Sequence, residues 1–79
     1  MSGLRLNTLR PGDTCAVEKI VSADPKLRMR LLEMGIIKGT QVEVIRYAPL
    51  GDPIELKVRG YRLSIRIEEA ASVIVVKLS

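Results

Sequence analysis

The chain has 79 residues, room for one domain (1–79) and one core. With 47% apolar residues it is not a disordered chain, and with only Tyr47 and Tyr61 as aromatics its core must be aliphatic. The net charge of +4 is spread along the chain, which excludes a basic nucleic-acid tail but allows contact with nucleic acid or an acidic protein surface.

Arg10-Pro11-Gly12-Asp13 reads as a type II turn, with proline and glycine at its two central positions. A strand is expected over 14–21. Cys15 and Val17 lie on one face of it and Ala16 and Ile20 on the other, so the buried side is ambiguous. The expected helix runs from about Pro25 to Met34, opened by Asp24-Pro25 and closed by Gly35. Leu27, Leu31 and Met34 form one stripe, while Met29 and Leu32 lie on another side. The simpler expectation is that a loop or terminus of the domain covers those two. The alternative leaves them for a partner.

Period-2 alternation then marks three strands. Val42 and Val44 alternate with polar residues, as do Ile54, Leu56 and Val58, and then Tyr61, Leu63, Ile65 and Ile67. Arg59-Gly60 fits a two-residue hairpin, because Val58 and Tyr61 flank it and both continue apolar series. A single helical turn is expected at Glu68 to Ala71. A last strand, Ser72 to Lys77, carries the continuous apolar run Val73 to Val76 and suits burial on both sides. Five strands with one inserted helix predict a mainly β fold, a small SH3-like barrel first and an OB-like barrel next.

Chemistry is sparse. Histidine is absent and the one cysteine, Cys15, can build neither an internal disulfide nor a zinc site. No glycine-rich phosphate loop is present. Glu68-Glu69 reads as first-turn helix residues rather than an acid/base pair, since adjacent helix positions do not face each other. Cys15 reads as a small buried hydrophobe. The chain is therefore expected to hold no catalytic residues, no metal and no cofactor. The first twenty residues do not read as a signal peptide, and no apolar run is long enough to span a bilayer, so a cytoplasmic location is expected. One oddity remains. Ala48-Pro49-Leu50-Gly51-Asp52-Pro53 places apolar Leu50 at a loop tip, either folded onto the core or left as an anchor for a partner.

The pattern Arg30-Leu31-Leu32-Glu33-Met34-Gly35-Ile36, Gly39, Ala48 to Pro53, and Leu63, Ile65 and Arg66 resembles the FeoA family over nearly the whole chain. The opening Leu9, Pro11-Gly12 and Asp13 fits it too. The helix ending is also similar to the SH3-like C-terminal domains of DtxR-type repressors. The resemblance implies an SH3-like barrel and a non-enzymatic cytosolic accessory protein of ferrous iron uptake. It further implies contact with a FeoB-type membrane permease carrying a GTP-binding domain. Met29, Leu32, Tyr47, Pro49, Leu50, Gly51, Asp52 and Pro53 are the expected partner-binding residues, with self-association as a further use. A small basic barrel that binds nucleic acid through Arg59, Arg62 and Arg66 is less favoured, as stacking aromatics are scarce. A metal-sensing module would have to rely on carboxylate oxygens.

Overall fold

The structure is a computed structural model that describes residues 3–79. Its elements in chain order are β1 (Leu4–Arg5), a 3₁₀ turn (Leu6–Thr8), β2 (Thr14–Ile20), α1 (Pro25–Glu33), β3 (Gln41–Tyr47), β4 (Ile54–Val58), β5 (Tyr61–Ile65), α2 (Ile67–Ala70) and β6 (Val73–Lys77). The strands form one antiparallel sheet in the order β1-β6-β2-β3-β4-β5. The fold is mainly β, as expected, with six strands instead of five. The additional strand, β1, is two residues long, too short to show a period. The ladder does not close between β1 and β5, so closure does not remove the sheet edges; both remain strand edges.

The alternating segments become strands with one correction: β5 ends at Ile65, and Ile67, expected to continue its alternation, instead opens α2 after Arg66 turns the chain, while Tyr61 at the hairpin end is exposed. Val42, Val44, Ile54, Leu56, Val58 and Ile65 are buried in one aliphatic core with Leu6, Leu31 and Ile36. The hairpin has the predicted register, Val58 opposite Tyr61. Arg59 and Gly60 sit at φ 51° and 89°, positive at both positions as a type I′ turn requires. In β6, Val73, Ile74 and Val75 are buried, but Val76, expected to be buried with them, is 38% exposed, so the two-sided burial ends before the strand does.

Two register shifts explain what alternation leaves ambiguous. In β2 the pairing slips between Val17 and Lys19. An extra residue inverts the inward-outward alternation. Cys15 and Val17 face the core before the slip, and Ile20 packs on the same core after it. A second slip between Val44 and Arg46 does the same in β3, pairing Tyr47 with Ile54. At the N-terminal side, the Arg10–Asp13 turn closes with the Asp13 N–H donating to Arg10 O at 2.9 Å.

The helix ends follow the sequence signals. The Asp24 side chain accepts from the Lys26 N–H at 2.9 Å, capping α1. At the other end, Gly35 N–H donates to Leu32 O and Ile36 N–H to Leu31 O, each at 3.0 Å. This crossed pair is a Schellman motif, and Leu31 and Ile36 supply its apolar contact in the core.

Candidate functional site: a braced loop and an uncovered helix side

The β3–β4 loop, residues 48–53, is a closed structure. Ala48 N–H donates to Pro53 O at 2.9 Å across its base, and Gly51 N–H donates to Ala48 O at 2.7 Å around its tip. The Asp52 carboxylate accepts from Ile67 N–H at 3.0 Å and so satisfies one of the free donors that begin α2. Leu50 projects from this frame 97% exposed, with Pro49, Asp52 and Pro53 also exposed. The reading in which Leu50 folds back onto the core does not hold. A braced loop with an apolar tip has already lost most of the freedom that binding would cost it.

Of the expected site residues, Met29 and Leu32 are also uncovered, at 57% and 42% exposure. The expectation that a loop or terminus covers them is corrected: among the described residues nothing buries that side of α1. The helix turns Leu31 fully into the core, with Leu27 and Met34 packed at its margin. Met29 and Leu32 lie off that stripe and cannot share its burial. Tyr47 has a bracing position instead. The second register shift turns it inward, and its hydroxyl donates to the Leu9 carbonyl at 2.5 Å, with the Asn7 carbonyl 3.2 Å away as the second acceptor within reach.

α2 is the element bonded to both parts of this region. Asp52 ties the loop to its first residue, and Glu69 ties it to α1 through the Arg30 guanidinium. Glu69 is a buried carboxylate whose other oxygen accepts from Arg66 N–H at 2.9 Å, completing a capping interaction. Glu68 points to solvent. The adjacent pair thus divides into a structural cap and a surface charge. Sequence reasoning missed both ties, since Arg30 and Glu69 are 39 positions apart and Asp52 and Ile67 are 15 apart. A cleft of about 390 Å³ opens beside them, lined by Asp24, Lys26, Leu27, Arg30, Glu68 and Glu69.

The remaining candidates are quiet. Cys15 is fully buried, its thiol donates to Val42 O, and burial with nearby Asp13 pushes its pKa up to about 11. Among the described residues no three carboxylate or thiol side chains converge as metal ligands. Among the described residues no helix is long and apolar enough to cross a membrane.

This architecture has known counterparts. The FeoA domain model matches residues 4–77. A Clostridium acetobutylicum FeoA-like protein is 38% identical, with a TM-score of 0.91, and the match covers 100% of this chain and 91% of that one. The FeoA of Stenotrophomonas maltophilia, an SH3 domain protein solved with zinc, is 31% identical over 95% of this chain and 88% of that one, with a TM-score of 0.77. A Porphyromonas gingivalis fusion of Fe(2+) transport protein A with the Fe(2+) transporter FeoB is 36% identical over 70 residues. That match takes in 89% of this chain and 8% of the fusion protein, so the chain spans a small fraction of that relative. With a family model matched across nearly its whole length and the SH3-like architecture to go with it, the chain belongs to the FeoA family.

Proposed function

We propose that this chain is a non-enzymatic cytoplasmic accessory module of ferrous iron transport that binds a FeoB-type permease and modulates it. The observation that carries the reading is Leu50, an almost fully exposed apolar side chain held on a loop with three hydrogen-bonded ties. The fusion relative supports the choice of partner, since it joins a FeoA segment and a FeoB transporter in one chain. Chains that are fused in one organism commonly meet as separate proteins in another. Cys15 and Glu69 support the non-enzymatic part of the reading, since a buried, neutral thiol is a poor nucleophile and a capped carboxylate a poor base.

In this reading Leu50 is the anchor, and Pro49, Gly51, Asp52 and Pro53 fix its direction. Met29 and Leu32 offer a second apolar contact. The test is titration of the protein against a purified FeoB-type permease in detergent, with Leu50→Asp as the variant. Burying an aspartate where a leucine anchors should weaken binding by about thirtyfold or more. Equal binding by both proteins would keep the partner and remove the loop from the interface. No binding by the unaltered protein would overturn the reading.

A further inference from the structure

We propose that the free edge of β5 accepts an extended acidic protein segment as an added strand. Within the sheet, β5 is bonded on one side only, to β4. The two-residue turn makes Val58 and Tyr61 a hydrogen-bonded pair, and the alternation continues through Leu56–Leu63 and Ile54–Ile65. The N–H and C=O groups of Arg62 and Ser64 therefore point away from β4. Among the described residues no backbone group bonds to them. They form a short, regular template of two donors and two acceptors.

Charge selects the occupant. The register sets Glu43 opposite Lys57 and Lys57 opposite Arg62 in one row across the solvated face. Arg62 thus has a like charge as its only cross-strand neighbour, an unfavourable arrangement. Neither Lys57 nor Arg62 forms an ion pair among the described residues. By contrast, Glu55 in the next row is neutralised by Arg46 at 2.9 Å. Only the open side of β5 can supply Arg62 with a carboxylate directly opposite.

The same register specifies the segment. In antiparallel pairing it places a polar residue opposite Ser64, an apolar residue opposite half-buried Leu63, and an acidic residue opposite Arg62, so the order is Thr-Val-Glu or its equivalent. A second copy of this chain fits poorly, because pairing β5 with β5 would gather two Arg62 and two Lys57 side chains on one face without adding a carboxylate. A nucleic-acid strand would neutralise the arginine but offers no regular donors to the two carbonyls.

The probe is a capped eight-residue peptide with Thr-Val-Glu at its centre, compared with its Thr-Val-Lys counterpart, and read by amide NMR and hydrogen exchange. The glutamate peptide should slow exchange at the Arg62 and Ser64 amides and bind more tightly than the lysine peptide. Arg62→Glu should lower affinity for the glutamate peptide about tenfold and reverse the preference. This variant keeps its fold, as the new carboxylate faces Lys57. Absence of binding, equal binding of both peptides, or an unchanged affinity in Arg62→Glu would overturn the proposal. So would binding that leaves the Arg62 and Ser64 amides unprotected, or that perturbs α1 or the β3–β4 loop instead.

Discussion

Asp52 and Ile67 are joined across the surface by a 3.0 Å hydrogen bond, so the carboxylate of a loop residue caps a helix that begins 15 positions later. The cap belongs to α2 in space but to the β3–β4 loop in sequence. Asp52→Ala should cost about 1 kcal/mol, the usual value of a lost helix cap. Urea unfolding gives the cost, and faster exchange at the Ile67 amide would identify the bond responsible. Leu50→Asp, in the same loop, should change stability by less than about 0.5 kcal/mol because its side chain touches solvent only.

Gly35 and Tyr61 form a sharper test. Gly35 closes α1 at φ +90°, and a β-carbon there would lie 2.7 Å from the Tyr61 hydroxyl oxygen. That hydroxyl donates to Met34 O. Gly39 has nearly the same φ, +88°, but open space around it. Gly39→Ala should cost about 1 kcal/mol from backbone conformation alone, and Gly35→Ala clearly more. Adding Tyr61→Phe to Gly35→Ala should recover part of the excess, which a double-mutant cycle measures.

The two neighbouring glutamates should behave unequally. Glu69→Ala removes an acceptor from Arg66 N–H and the partner of Arg30, and should cost about 1–3 kcal/mol. Glu68→Ala, at an exposed position, should stay within about 0.5 kcal/mol of the unaltered protein. Equal losses in denaturant titrations would contradict this division of roles.

Alkaline pH should destabilise the protein through Cys15 and Tyr47. Burial, with a smaller contribution from Asp13, raises both pKa values, that of Cys15 from 9.0 to about 11. Each group is neutral when protonated, so the folded chain holds these protons more tightly than the unfolded one. The resulting stabilisation is complete below pH 9 and drains away as pH rises towards 11. Urea midpoints measured from pH 8 to 10.5 should fall, and Cys15→Ala should flatten the slope. At neutral pH the same burial should make Cys15 nearly inert to a thiol reagent until the protein unfolds.

What the residues reveal in advance depends on how local the signal is. The hairpin at Arg59-Gly60 was legible because alternation on both sides fixes its register. The limits of α1 were legible because Asp24, Pro25 and Gly35 each carry a conformational preference. The inversions in β2 and β3 were not, since a bulge adds one residue without any compositional mark. The FeoA-like loop motif points to Leu50, but whether its side chain packs on the core or projects depends on the path of the whole loop, which no local preference states. The cover expected over Met29 and Leu32 failed for a similar reason: a single stripe suffices to dock so short a helix.

The placement of β6 has a consequence for biosynthesis. The strand that bridges β1 and β2 is the last regular element described, residues Val73–Lys77. While the chain emerges from a ribosome, β2 lacks one of its two neighbours and β1 has none. The β3–β4–β5 meander can assemble first, because its contacts are close in sequence. The N-terminal strand must wait for residues some seventy positions later, as Leu4 pairs with Val75. The pairing of β1 with β6 is therefore a late closure over a long sequence separation, a slow kind of step. A nascent chain arrested before Val73 should leave the surface around Cys15 and Val17 open to chaperones.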